Sequence, residues 1–188
     1  MKLKPSTLAG PASSTVAKVL ILAVVASVAS AASFSARALD ISPRSDFGPG
    51  EPTSYAVRAD QTASVTQRGT DNILHASQTG ANVLISSQAG MANIANMSQN
   101  GVRNWQALAQ TGNSNQSVST QTGSNNSATT TQTGNGNASQ IAQSGSSNSA
   151  AITQHGNDNQ ATIVQTGSNS GVQVQQTGNG AKAVVLAR

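Results

Sequence analysis

The amino-acid sequence predicts an all-β chain, a parallel β-solenoid of about six strand-turn-strand coils with cross-β character, and three observations carry that prediction. Gln-x-Gly recurs from residue 67 to residue 178 at a spacing of eleven residues, broken once. Between the turns, constrained small or aliphatic residues alternate with unconstrained ones, which is the period of a strand and not of a helix. Asn opens the seven-residue pieces and Gln closes them, so amides recur where a globular protein would place Leu or Val.

The motif starts at Gln67, Gln78, Gln88, Gln99, Gln110, Gln121, Gln132, Gln143, Gln154, Gln165 and Gln176. Its glycines are Gly69, Gly80, Gly90, Gly101, Gly112, Gly123, Gly134, Gly145, Gly156, Gly167 and Gly178. Nine of the ten intervals are eleven residues; the other, Gln78 to Gln88, is ten, because Thr79-Gly80-Ala81 stands where four residues stand elsewhere. A fixed short period marks an array whose units bury surface only against their neighbours. The function is therefore sought in the repeat and not in a single site.

Residues 1–38 read as a Sec signal peptide. Lys2, Lys4 and Lys18 precede the apolar run Val19 to Ala29, small residues follow, and the run is short for a bilayer span. Ala36-Arg37-Ala38 offers a cleavage site before Leu39, and Ser30-Ala31-Ala32 a nearer one. The mature chain is expected to be secreted. Lys2, Lys4, Lys18 and Arg37 also hold the whole excess of ten basic over six acidic residues, so the mature chain carries six of each. The pI of about 10.1 thus belongs to the leader. No basic patch remains for nucleic acid or an anionic membrane, and neither is expected as a partner.

Cysteine is absent, which leaves a secreted chain without disulfides or thiolate metal sites. Trp105, Tyr55, Phe34 and Phe47 are the only aromatic residues, so no core of large side chains is available. Residues 39–60 carry Pro43, Pro49, Pro52, Gly48 and Gly50 among charges, without helical or strand periodicity, and read as a disordered leader.

The array occupies residues 61–188, with strands expected at 61–67, 72–78, 82–88, 93–99, 104–110, 115–121, 126–132, 137–143, 148–154, 159–165, 170–176 and 181–187. Counting each piece from 0 to 6, position 6 is Gln in eleven of twelve pieces, and position 0 is Asn at Asn72, Asn82, Asn93, Asn104, Asn115, Asn126, Asn137, Asn148 and Asn159. Positions 2 and 4 are small or aliphatic, as at Ala150 and Ile152 or Ala161 and Ile163. Odd positions vary freely through His75, Trp105, Gln116, Thr129, Gln140 and Val164. The even face is therefore the inside. Four-residue turns should reverse the chain, with glycine in the second turn position supplying a backbone conformation other residues reach only with strain.

Buried amides cost about 1–3 kcal/mol each when unpaired. In a stack of identical rungs each amide can donate to one neighbour and accept from the other, so a ladder satisfies itself. Neither end of the stack carries a cap in this reading: the first coil follows Asp60 directly and the last strand holds only Lys182 and the flanking Arg188. Open edges recruit further strands. Templated edge addition needs no catalytic residue.

The spacing Ser/Asn-x5-Gln-x-Gly-x-x-Asn-x-Ala-x3-Gln resembles the curlin repeat of bacterial curli, the functional amyloid of extracellular matrix, over residues 61–188. The resemblance implies that the Gln and Asn columns and the turn glycines carry folding and fibre growth. It implies a secreted fibre subunit at the cell surface, supporting adhesion and biofilm matrix, with itself and a second curlin subunit as partners and an outer-membrane export machinery. Gln-x-Gly after every strand and the ending Ala183-Val184-Val185-Leu186-Ala187-Arg188 are closer to the minor, nucleating curlin than to the major subunit. Ser170 and Ala181 depart from Asn, Ala187 departs from Gln, and the family's amino-terminal secretion-targeting segment has no clear match.

The array offers little to other functions. His75 lies at an outward position, His155 is expected in a turn, and Asp71 and Asp158 are the array's only acids and lie far apart, so no carboxylate pair or histidine cluster forms. Calcium-binding solenoids need Asp in most turns. No catalytic, metal, cofactor or small-molecule site is expected. The rival from another class, a soluble β-solenoid binding ice or carbohydrate, needs an outward column of one residue type. Ser64, Ile85, Ala107, Thr129, Ala151 and Gln173 make no such column.

Overall fold

The computed structural model describes residues 19–26, 30–38 and 61–188. Every element there is a strand. In chain order these are β1 (Val19–Ala26), β2 (Ser30–Ala38), β3 (Gln61–Thr70), β4 (Asn72–Thr79), β5 (Val83–Met91), β6 (Ile94–Val102), β7 (Trp105–Asn113), β8 (Gln116–Ser124), β9 (Ser127–Asn135), β10 (Ala138–Ser146), β11 (Ser149–Asn157), β12 (Gln160–Ser168), β13 (Gly171–Thr177) and β14 (Lys182–Ala187). The span 39–60, read from sequence as a disordered leader, lies outside the described residues.

From β3 onward each strand pairs in parallel with the strand two places away. One sheet runs β3-β5-β7-β9-β11-β13 and the other β4-β6-β8-β10-β12-β14, giving six coils. The register holds every column: Gln132 pairs with Gln110 and Gln154, and Gly134 with Gly112 and Gly156. The ten-residue interval is absorbed at the β4–β5 turn without a slip, since Gln88 still pairs with Gln67 and Gln110.

The strands are longer than the sequence suggests. Pairing continues past the closing glutamine through Gly and one residue more, as in Ser127–Asn135, and only about two residues make each corner. His155 therefore lies within β11, paired with Thr133 and Thr177, and not in a turn. The cause is the uniform stack. When identical turns lie above one another, the Gln-x-Gly backbone can keep pairing with its copies, and only the residue before the ladder Asn must break away. That residue sits in the left-handed region at Asp71, Ala92, Arg103, Ser114, Asn125, Ser147, Asp158 and Asn169, with φ of 54–60°. Its N–H returns to the preceding coil, as Asn125 N does to Val102 O at 3.1 Å.

Even positions are buried through the first five coils, as the alternation predicts, and partly buried over most of the last. Between the amide columns the apolar filling falls into two clusters. Ala63, Val65, Leu74, Ala76, Leu84, Ala95, Met97 and Leu108 fill the early coils. Ala128, Ile141, Ala150, Ile152, Ala161, Ile163 and Val174 fill the late ones. Between them lie Gln106, Ser117 and Ser119, all buried. Gln106 is an inward glutamine outside the ladder; its Nε2 donates to Ser98 O at 3.0 Å and Ser119 O at 3.3 Å, and its Oε1 has no partner.

The first coil is not bare in this chain. β1 pairs antiparallel with β4, from Val19 opposite Thr79 to Ala26 opposite Asn72. β2 pairs antiparallel with β3, from Ser30 opposite Gly69 to Ala38 opposite Gln61. The expectation that neither end carries a cap is corrected at this end, and the reason is compositional: an apolar, hydrogen-bond-competent segment satisfies an exposed strand edge.

Candidate assembly interface

The candidate interface is the set of amide columns, and each column is built by register. In the β3 sheet, Nε2 of Gln67 donates to Oε1 of Gln88, Gln88 to Gln110, Gln110 to Gln132, Gln132 to Gln154 and Gln154 to Gln176, at 2.6–2.9 Å. In the β4 sheet the chain of donors runs Gln78, Gln99, Gln121, Gln143, Gln165, at 2.7–3.0 Å. Each interior glutamine also donates across to a carbonyl of the facing sheet, as Gln132 does to Gln116 O at 2.9 Å. Both N–H groups and the oxygen are thereby used, so a buried neutral amide carries no desolvation debt.

The asparagine columns run the other way. Nδ2 of Asn93 donates to Oδ1 of Asn72, Asn115 to Asn93, Asn137 to Asn115 and Asn159 to Asn137, at 2.9–3.1 Å. On the other corner Asn126 donates to Asn104 through Nδ2, while Asn104 and Asn148 donate through their backbone N–H to Asn82 and Asn126. Each asparagine also holds a turn: Nδ2 donates to a glycine carbonyl, from Asn72 with Gly90 O through Asn159 with Gly178 O. The two amide types thus have different work. Glutamine ties rung to rung and sheet to sheet, and asparagine ties rung to turn.

Glycine in the turn column answers two demands. At Gly112 φ is +116°, and a Cβ there would lie 2.0 Å from the carbonyl oxygen of Gly134 in the next coil. The first demand is local to the turn and legible in the sequence; the second arises only between coils. At the last coil the second vanishes, for nothing lies within 4 Å of a Cβ built on Gly178.

Two further columns lie on the corners. Asn113, Asn135, Asn157 and Asn179 form an exposed asparagine ladder on one corner, with Asn135 Nδ2 to Asn157 Oδ1 at 3.0 Å and Asn157 Nδ2 to Asn179 Oδ1 at 3.1 Å. The facing corner carries Ser124, Ser146 and Ser168, with Ser146 and Ser168 hydroxyls 2.9 Å apart. The signal was present: from Gln110 onward Gln-x-Gly-Asn alternates with Gln-x-Gly-Ser, a period of 22 residues laid over the period of eleven. That longer period is one coil.

Residues 107–134, 123–156 and 145–178 match the curlin associated repeat. Over those residues the chain is similar to curlin repeats. No curated protein and no solved structure matches it. The match spans residues 107–178, and the same Gln, Asn and Gly columns continue before it to Gln67, Asn72 and Gly69. At the other end the curlin pattern stops short. Gln165 stands opposite Ala187, and it donates to Ser149 O, Ser170 O and Ser170 Oγ at 3.0–3.2 Å. Of the asparagine-ladder bonds, Ser170 and Ala181 keep only those of the backbone N–H, donated to Oδ1 of Asn148 and Asn159 at 3.1 and 3.0 Å. Val184 and Leu186 on β14 are 71% and 72% exposed. His75 is exposed and Trp105 is 37% exposed, both on the outward faces expected of them.

Proposed function

We propose that this chain is a secreted structural subunit of an extracellular curli-type amyloid fibre, which grows at the bacterial cell surface by addition of further copies to a coil edge and supports adhesion and biofilm matrix. The observation that carries this is the unbroken in-register column. Interior coils present one Gln, Asn and Gly pattern to both neighbours, and the last coil keeps Gln176 and Gly178 of it, so in that sheet intermolecular stacking repeats intramolecular stacking. The curlin-repeat match supports the same reading. It also favours a structural role over an enzymatic one, since stacking requires no chemistry.

Stacking β13 of one chain on β3 of the next places Gln176 in register with Gln67, as Gln154 is with Gln176. In the other sheet it places Ala187 against Gln78, where no donor exists. Homotypic growth is thus matched in one sheet and mismatched in the other. This asymmetry favours a minor, nucleating role beside a ladder-complete second curlin, with the exposed Val184 and Leu186 and the cations Lys182 and Arg188 free for a surface. In this proposal residues 1–38 are a signal peptide removed on secretion, residues 39–60 a spacer, and export through the outer membrane follows from the family resemblance.

The test is fibre formation by the chain freed of residues 1–38. Oriented fibres should give meridional and equatorial reflections near 4.8 and about 10 Å, and short sonicated fibres should seed fresh protein without a lag. A processed chain that stays monomeric at high concentration and neither seeds nor is seeded would sink the proposal.

A further inference from the structure

The edge that receives the next chain is occupied in the unprocessed protein. β1 and β2 pair antiparallel along the whole of β4 and along β3 from Gln61 to Gly69, so both strands of the first coil have a neighbour on their open side. The fit is complete for the backbone and incomplete for the ladder. Leu20 stands opposite Gln78, and Oε1 of Gln78 is buried without a hydrogen-bond partner. Ala26 stands opposite Asn72, and Ala32 opposite Gln67. None of these leader residues carries an amide. A strand pair that satisfies the edge's backbone and offers no amide column blocks the edge without extending the template.

From these facts we infer that the segment holding β1 and β2 is a detachable cap on the first coil, which keeps the unprocessed chain from templating at that edge, and that proteolytic removal of the leader is the event that opens it to a second copy. The inference rests on the fibre reading above. The energetics favour such a switch. While covalently joined, the leader competes for the edge at a local concentration on the order of millimolar. Once cut, it competes as a dilute peptide against a chain whose Gln176 can donate into the glutamine column of the β3 sheet. Cutting after Ala38 frees the whole cap, whereas cutting after Ala32 frees β1 and leaves Ser33–Ala38 of β2 joined to the array. A capped chain can still dock its own last coil on a fibre, and its covered first coil then closes that fibre end. The unprocessed chain is thus a terminator at one end and inert at the other.

The experiment compares the full chain with the same chain cut after Ala38, both diluted from denaturant onto labelled sonicated fibres of cut chain, with each fibre end followed by fluorescence microscopy. The cut chain should extend the seeds. The full chain should not, and traces of it mixed with cut chain should arrest one end of each fibre while the other continues. Val24→Pro with Phe34→Pro in the full chain removes two backbone donors from the cap strands and should restore extension. Full chain that extends seeds as fast as cut chain, or proline variants as inert as the full chain, would overturn the cap. Hydrogen exchange reads the cap apart from fibre growth. Amides of Gln61–Thr70 and Asn72–Thr79 should exchange more slowly in soluble full chain than in soluble cut chain; equal exchange overturns the inference whether or not fibres form.

Discussion

Gln165 faces Ala187 across the last rung of its sheet, and it is the one glutamine of its column that finds no glutamine in the next coil. Its amide turns to Ser170 instead, with bonds of 3.0 Å to the carbonyl and 3.2 Å to the hydroxyl. A stack whose every other rung passes a donor forward ends here by substitution and not by loss of pairing, since β14 still pairs with β12 from Lys182 to Ala187.

Completing that rung should help self-assembly. Ala187→Gln supplies an acceptor for Gln165 and a donor for a following chain's Gln78, and should add about 1 kcal/mol per hydrogen bond made. Seeded elongation of the processed chain should accelerate several-fold. Unchanged or slower elongation would show that the last rung is not part of the growing contact.

The inside-outside assignment predicts a contrast between two triple substitutions. Gln132, Gln143 and Gln154 are buried, and each joins a rung, its neighbour and the facing sheet. Gln116, Gln140 and Gln160 are exposed on the outer face. Replacing the first three by Ala leaves cavities and unpaired neighbours, at about 1–3 kcal/mol per site, and should abolish or greatly delay fibre formation. Replacing the second three should change denaturant midpoints and fibre lag times little.

Glycine offers a sharper test of direction. Gly112→Ala sets a Cβ against the Gly134 carbonyl inside the molecule and should prevent the coils from stacking, visible as loss of the β-sheet signal in circular dichroism. Gly178→Ala meets nothing within the chain, so only the cost of its φ of +111° falls on the monomer. It should leave the soluble fold in place while halting addition of a next chain, whose Gly69 carbonyl would meet the new methyl. A Gly178→Ala chain that elongates normally would place growth elsewhere.

The two asparagine ladders should differ in weight although their geometry is alike. Asn159 is buried and binds Asn137, Gly178 O and Ala181 N, so Asn159→Ala should destabilise by about 1–3 kcal/mol. Asn157 makes bonds of similar length to Asn179 in solvent, and Asn157→Ala should cost about 0.5 kcal/mol or less. Urea melting curves of the two variants give the comparison directly.

Much of this protein was legible in the residues. A strict period with alternation determines which side chains face inward, because a strand has only two faces and a one-residue slip would bury every outward residue. The Gln and Asn columns, the turn glycines, the parallel sheets and the outward placing of His75 and Trp105 follow from that. The 22-residue alternation of Asn113, Asn135 and Asn157 with Ser124, Ser146 and Ser168 was there to be seen as well, hidden only by the stronger period of eleven. Tertiary structure alone decided what depends on contact between coils. It set the opposite polarity of the glutamine and asparagine ladders, since an amide's direction is fixed by which carbonyl lies beside it. It set the length of the strands, because stacked turns pair where an isolated turn would not. It required the absent Cβ at Gly112, because the obstacle belongs to Gly134, 22 residues away. And it covered the first coil with β1 and β2, a pairing that no local pattern in Val19–Ala26 announces, since an apolar run looks the same whether it meets a membrane, a core or the bare edge of a sheet.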